Sequence, residues 1–337
     1  MERCPPEILL RIFSLVCNDG GRMGRSLSLV SRYIHDTSKA VRFQTVTCRN
    51  AAQIIAFAFI LDQTLPRHRI VRHLFLSCCS RDSPHPGFAR MNSQHMSHTP
   101  FSSPTASQPL ISTMVMHPVE KVVTFDTLMS AYRHALSVIP RILSQAAQTL
   151  NSLSLHIDWP SSEIFFPSHL PVLVDLSINQ PWARWHLRSK ELSQLVSCPS
   201  LRRLALNGYA YIDDPAEIID SIRTFAPSLT YLCLPREPAG LEPRLKELMD
   251  QPTPSEDVVF PRTLQLLLIH DPEFIGCEAV WLEDPRLVAV GRSWTFARGV
   301  GPLELQWEHQ WFDGINGGQG FWRKPDGANK FSIQIAQ

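Results

Sequence analysis

Along most of the chain, apolar residues return in one short frame: apolar, two variable positions, apolar, one variable position, apolar. It is clearest as Val71-x-x-Leu74-x-Leu76 and recurs as Leu150-x-x-Leu153-x-Leu155, Leu173-x-x-Leu176-x-Ile178, Leu201-x-x-Leu204-x-Leu206, Leu229-x-x-Leu232-x-Leu234 and Leu264-x-x-Leu267-x-Ile269. A looser copy, Phe43-x-x-Val46-x-Cys48, precedes these, and Leu287-x-x-Val290 follows. The central residues Val46 and Leu74, Leu176 and Leu204, and Leu204 and Leu232 are each 28 positions apart. Local alternation within each frame predicts a short strand. Pro171, Pro199, Pro227 and Pro261 stand just before four of the frames, where a residue that cannot donate to a ladder is tolerated. The intervals leave room for helices, with 51–61, 128–150, 191–196, 216–225 and 241–249 as candidates. A strand-plus-helix unit cannot bury its apolar side alone, so neighbours must stack. The expected fold class is α/β: parallel strands lining a curved solenoid, with helices on the convex side.

The first 45 residues follow a helical period instead. Pro5-Pro6-Glu7 reads as a helix start, with proline in the first turn and a carboxylate near the positive end of the dipole. Ile8, Ile12 and Leu15 form one apolar stripe, and Leu9, Phe13 and Val16 form another beside it. One stripe can serve a small core; the other is surplus. The glycine-rich run 18–25 predicts a loop, with Ser26 capping a second helix that carries Leu27, Val30 and Ile34. A third short segment follows Asp36-Thr37-Ser38 and contains Ala40, Val41 and Phe43.

Two other stretches break the repeat. Residues 80–118 are rich in Ser, Pro, His and Thr without periodicity, which predicts a disordered insertion. Its His85, His95, His98 and His117 have no companion ligands at metal-site spacing, and Ser83-Pro84, Thr99-Pro100 and Ser103-Pro104 are candidate phosphoacceptors. Five of the eight tryptophans (Trp281, Trp294, Trp307, Trp311 and Trp322) fall in the last 57 residues. The alternation in Trp294-Thr295-Phe296 and Leu303-Glu304-Leu305-Gln306-Trp307 predicts strands that cap the end of the solenoid. Gly314-x-x-Gly317-Gly318-x-Gly320 lacks the Lys-Ser/Thr of a phosphate loop and reads as a turn. The expected organisation is therefore 1–45 helical, 46–79 first repeats, 80–118 insertion, 119–290 solenoid and 291–337 Trp-rich cap.

Composition narrows the function. A net charge of +1 over 337 residues provides no footprint for nucleic acid or an anionic membrane, which leaves protein partners. Eight scattered cysteines without a CxxC pair predict buried free thiols. With no signal-peptide pattern and no apolar run of membrane-spanning length, a cytoplasmic or nuclear location is expected. No nucleophile elbow, HExxH, Walker loop or paired metal motif is present; His156 with Asp158 and Glu308 with His309 read as surface polar pairs. A non-catalytic chain with no cofactor and no metal is expected.

The run Cys4-Pro5-Pro6-Glu7-Ile8-Leu9-Leu10-Arg11-Ile12-Phe13, followed by Leu29-Val30-Ser31-Arg32-Tyr33-Ile34 and Phe43, resembles the F-box, and in detail the F-box-like segments of mushroom-type fungal proteins. The downstream frames are similar to leucine-rich repeats of an irregular kind, with only Asn179 and Asn207 near the asparagine position. The resemblance implies a small three-helix F-box in which Pro5, Ile8, Leu9, Ile12, Phe13, Leu29 and Val30 form the interface with a Skp-type adaptor, or its supporting core. Through that adaptor the chain would reach a cullin, as the substrate receptor of a Skp/cullin/F-box ubiquitin ligase. Cys4, where leucine is usual, Ser31, where cysteine is common, and Tyr33, Ile34 and Phe43, near positions where tryptophan is frequent, depart from the pattern. The alternative is a leucine-rich-repeat scaffold with no ubiquitin-ligase role.

Strand alternation then predicts where an unknown protein substrate binds. If Leu204 and Leu206 point inward, Arg203 and Asn207 face the concave surface. The equivalent positions are His73, Phe75, His156, Asp175, Asn179, Tyr231, Leu266 and His270.

Overall fold

The computed structural model of the chain describes residues 4–78, 125–157, 169–186, 197–211, 221–235, 263–271, 279–281, 287–291 and 303–318. Three short helices come first: α1 (Pro6–Val16), α2 (Arg22–Leu27) and α3 (Arg32–Ser38). They lead into β1 (Thr45–Cys48), α4 (Ala51–Gln63), β2 (His73–Ser77), α5 (Phe125–Ala146) and β3 (Ser152–His156). Next come β4 (Asp175–His186), β5 (Arg203–Tyr211), β6 (Tyr231–Pro235), β7 (Leu266–Asp271), β8 (Ala279–Trp281) and β9 (Leu287–Gly291), and a last helix, α6 (Leu303–Ile315), ends the described chain.

The strands form one sheet in the order β1-β2-β3-β4-β5-β6-β7-β9-β8. Every pair is parallel except β8 with β9. The protein is thus α/β, with each strand from β1 to β7 laid beside its predecessor in sequence. The repeated frame sets the register: Val46, Leu74, Leu153, Leu176, Leu204, Leu232 and Leu267 are paired in one row across seven strands. The row ends there. Leu287, not Val290, pairs with Leu267, so the last frame sits three residues out of step, and β8, which carries no frame, closes the edge in the antiparallel sense.

The leucine row lies in the main core. Leu74, Leu76, Leu153, Leu155, Leu176, Ile178, Leu204 and Leu206 are buried with Ile54, Phe57, Ala58 and Leu61 of α4 and Ala135, Ile139, Ile142 and Leu143 of α5. These two helices cover one side of the sheet, called here the helix side. Asn50 caps α4 by accepting from the Gln53 N–H, and the Gln53 side chain in turn accepts from the Arg49 N–H. That reciprocal pair fixes both the helix start and the backbone of Arg49. Residues 221–225 are also helical, within the candidate 216–225. The candidates 191–196 and 241–249, the proposed insertion 80–118 and Trp294-Thr295-Phe296 lie outside the described residues.

The amino-terminal helices differ in placement from expectation. The glycine run is not all loop. Gly20 and Gly21 take positive φ (75° and 94°), a region that L side chains rarely adopt. Their turn lets the Asp19 carboxylate accept from the Met23 N–H at 2.8 and 3.0 Å, so α2 begins at Arg22 and Ser26 lies inside it. Ser31 is the cap of the next helix, accepting from the Ile34 N–H at 3.2 Å. Residues 39–43 are turns. Gly24 is a close approach: a Cβ there would stand 2.4 Å from the Arg42 carbonyl oxygen. The bundle core is small, comprising Leu9, Phe13, Cys17, Ile34 and Val41. Gln44 joins bundle to sheet, its Nε2 donating to the Ser14 carbonyl and to Asn18 Oδ1, each at 3.1 Å.

The last helix is the largest departure. Leu303 to Trp307 alternates over five residues, yet Trp307, Trp311 and Ile315 recur at four-residue spacing, and the longer helical period prevails. Gly317, at φ 89°, ends the helix, and the Gly318 N–H donates to the Asp313 carbonyl at 2.8 Å. This is the Schellman arrangement, so the glycine cluster is a helix stop.

Candidate functional site

Two surfaces carry the residues of interest. The first is the outside of the bundle. In α1 the stripe Ile8, Ile12 and Leu15 is 50%, 47% and 72% exposed, whereas Leu9 and Phe13 are buried. Cys17 is buried with them, and Val16 is exposed. Between α2 and α3, Leu29 and Val30 are 79% and 63% exposed. Pro5 is exposed at the N-cap of α1. Tyr33 Oη donates to the Cys4 carbonyl at 2.9 Å, tying α3 to the start of α1. Of the seven predicted interface residues, Pro5, Ile8, Ile12, Leu29 and Val30 therefore stand in water, and Leu9 and Phe13 are the support beneath them.

The second surface is the side of the sheet opposite α4 and α5. Its composition contrasts with the leucine row: Thr45, Thr47, His73, Phe75, Ser77, Ser152, Ser154, His156, Asp175, Ser177, Arg203 and Ala205 occupy the alternate positions. It is not open. Helix α6 lies against β2 and β3 on this side. Trp311, 3% exposed, packs its ring 5.6 Å from that of Phe75 and donates its Nε1–H to Ser152 Oγ at 3.1 Å. Arg49 Nε and Nη2 both donate to Glu308 Oε1, at 3.1 and 2.6 Å. Phe312 stands over the α1–α2 turn, where a Cβ on Gly20 would be 2.9 Å from its ring.

Several predicted contact residues are buried. Phe75 is 1% and His156 3% exposed, which corrects their placement on a free concave face. His73 is partly buried, and burial, with Arg72 adding to it, lowers its pKa from the usual 6.5 to about 4. Its Nδ1 has no hydrogen-bond partner among the described residues. Asp175 and Arg203 pair with each other through two contacts between guanidinium and carboxylate. Burial raises the Asp175 pKa in spite of the arginine, which pulls the other way. Tyr231 is partly exposed at the start of β6. Asn179, Asn207 and His270 hold their expected register, with Asn179 paired to Asn207 and His270 to Pro235 and Val290; Leu266 pairs with Tyr231. The side chains of these four lie outside the described residues.

Arg49, Glu308 and Trp311 were not singled out by the repeat frame, because Arg49 falls just past the strand and the other two come from outside the repeats. The signal that could have found them is Glu308-x-x-Trp311, two residues on one helical face. Glu308 with His309 is not a surface pair: Glu308 is 3% exposed and bound to Arg49, while His309 is exposed. Burial pushes Cys17 to about 11 and Cys48 and Cys198 to about 12, the direction that makes a thiol unreactive. Among the described residues no group of three or more His, Cys, Asp or Glu side chains could hold a metal ion, and no helix is long and apolar enough to cross a membrane.

Taken together, the fold and these surfaces define an α/β protein with a sequentially ordered parallel sheet, an apolar helical bundle at one end and a helix laid on the polar side of the sheet. In comparisons with known proteins, the chain matches no family model, no curated protein and no solved structure.

Proposed function

We propose that this chain is the substrate-recognition subunit of a Skp/cullin/F-box ubiquitin ligase. In this reading α1–α3 are an F-box-like domain that docks on a Skp-type adaptor, and through it on a cullin. The sheet and its helices are an irregular leucine-rich-repeat solenoid that holds a protein substrate. The chain transfers nothing itself, carries no cofactor and works in the cytoplasm or nucleus. Its binding to nucleic acid or membrane is not expected.

One observation carries the reading: a bundle with five buried core side chains leaves Ile8, Ile12, Leu15, Leu29 and Val30 in water. Fully burying one such side chain is worth about 1.5–3 kcal/mol. Leaving five of them exposed on a structure this small is a standing cost, unless a partner covers them. The one-row leucine register and the sequential parallel order support the repeat reading of the rest.

Because Phe13 belongs to the core, the informative substitution is the pair Ile8→Asp and Ile12→Asp. These side chains are half exposed, so melting should be nearly unchanged while co-purification of a Skp-type adaptor from cells is lost. Undiminished adaptor capture by the doubly substituted chain, or no adaptor with the unchanged chain, would favour a leucine-rich-repeat scaffold without a ligase role.

A further inference from the structure

We infer that the polar side of the sheet is a receptor for a helical protein segment bearing a glutamate and, three residues on, a tryptophan, and that α6 is its internal occupant. The inference deepens the substrate-receptor reading and rests on it for the statement that the partner is a substrate.

The way α6 is held shows the recognition chemistry. Arg49, its backbone held by Gln53, gives two donors to one carboxylate oxygen of Glu308. One helical turn further on, Trp311 finds an aromatic wall in Phe75 and an acceptor in Ser152 for its indole N–H. A charge-assisted pair and a buried tryptophan with a satisfied N–H are the contacts that anchor helix-in-groove complexes.

Two features mark the occupancy as reversible. Beside the Phe75–Trp311 contact, the sheet residues that line the seam with α6 are hydroxyls and charges, Ser152, Asp175, Ser177 and Arg203, and Ser152 and Ser177 are buried, although buried polar groups cost free energy unless every hydrogen bond is met. The helix side of the same strands, covered permanently, is leucine and isoleucine throughout. A surface that spends part of its time in water retains the polar residues. The fit is also incomplete. A cavity of about 30 Å³ remains between α6, where Gly314 and Ile315 line it, and the sheet residues Asp175, Ser177 and Arg203, and Ser177 Oγ has no hydrogen-bond partner among the described residues. Gly314 stands three residues after Trp311, on the same helical face, and contributes no side chain. A partner with a polar side chain at that position has Ser177 and the Asp175–Arg203 pair before it.

The test uses the full chain and a labelled synthetic peptide with the sequence of residues 303–315. An occupied face lowers the apparent affinity of an external ligand by the fraction of time it is open. Trp311→Ala, which loosens the internal helix, should therefore bind the peptide at least about tenfold more tightly than the unchanged chain does. Adding Arg49→Ala to that variant, or replacing the peptide's own glutamate and tryptophan with Gln and Ala, should remove the gain. Equal peptide binding by the unchanged and Trp311→Ala chains would overturn the inference. If Trp311→Ala fails to fold, hydrogen exchange on the unchanged chain decides. Amides of 307–315 exchanging about a hundredfold or more faster than those of β3 support a displaceable helix, and equal protection overturns it. Adaptor capture by the unchanged chain is read in parallel. Its absence would remove the ligase reading and leave the peptide result standing.

Discussion

The bundle and the polar side of the sheet make opposite errors against the simple rule of apolar inside and polar outside. The bundle leaves isoleucine, leucine and valine in water, and the polar side of the sheet buries serine and histidine and pairs Arg49 with a buried glutamate of the helix laid on it. The two kinds of violation have different consequences. Exposed apolar side chains lower their free energy whenever they are covered, so they favour a partner that stays. Buried polar side chains can exchange protein hydrogen bonds for water, so they tolerate a partner that leaves. One chain thus presents a surface suited to lasting assembly and another suited to exchange.

The contrast can be broken most decisively on the sheet. Leu204→Asp places a charge among the buried leucines, where Leu204 is 1% exposed, and should cost about 4 kcal/mol or more, read as loss of the cooperative melt. Arg203→Asp, one residue away on the polar side, should cost roughly half as much, because Asp175 loses its cation and meets a second carboxylate. Equal losses would erase the distinction between the two sides. In the bundle, Phe13→Ala should cost about 3–5 kcal/mol in a denaturant melt, while Ile12→Ala, one residue away but half exposed, should stay within about 0.5 kcal/mol.

Acid provides a third test. The unfolded chain protonates His73 near 6.5, whereas the folded chain resists protonation until about 4. Between those values the unfolded state binds the extra proton, so stability is full above pH 6.5 and falls by about 1.4 kcal/mol per unit as pH drops toward 4. His73→Gln should flatten that part of the stability–pH profile. Gly24→Ala, which drives a Cβ toward the Arg42 carbonyl, should cost about 2 kcal/mol. Ser31→Ala, which removes the α3 cap, should cost about 1 kcal/mol. Both can be read from thermal melts, and neither should alter peptide binding at the sheet.

The repeat frame made the sheet legible because leucine at a fixed strand position serves packing in every unit, so Val46 to Leu267 stand in one row. Helix boundaries near the amino terminus were less legible. Asp19 accepts the Met23 N–H in the first turn of α2 and Ser31 caps α3, whereas the sequence alone suggests a helix start at Ser26 and a third segment after Asp36-Thr37-Ser38. The candidate site was half legible. Alternation correctly separated Phe75 and Arg203 from the leucine row, and the surplus stripe of α1 is on the outside. Alternation could not say that Phe75 is covered, since its cover comes from α6, more than 220 residues further along. Nothing local to β2 or β3 encodes that helix, and its five-residue alternation disguised it as a strand.

The Arg49–Glu308 pair joins residues 259 positions apart in the chain. A ribosome makes the amino-terminal part first, at about 5–20 residues per second. Arg49, Phe75, Ser152 and Arg203 are all synthesised before the first residue of α6 exists. For on the order of ten seconds in the life of each molecule, the receptor face can fold with no internal helix to cover it. A partner present at the site of synthesis meets that face without competition, so the time and place of translation, as well as affinity, help decide which occupant arrives first.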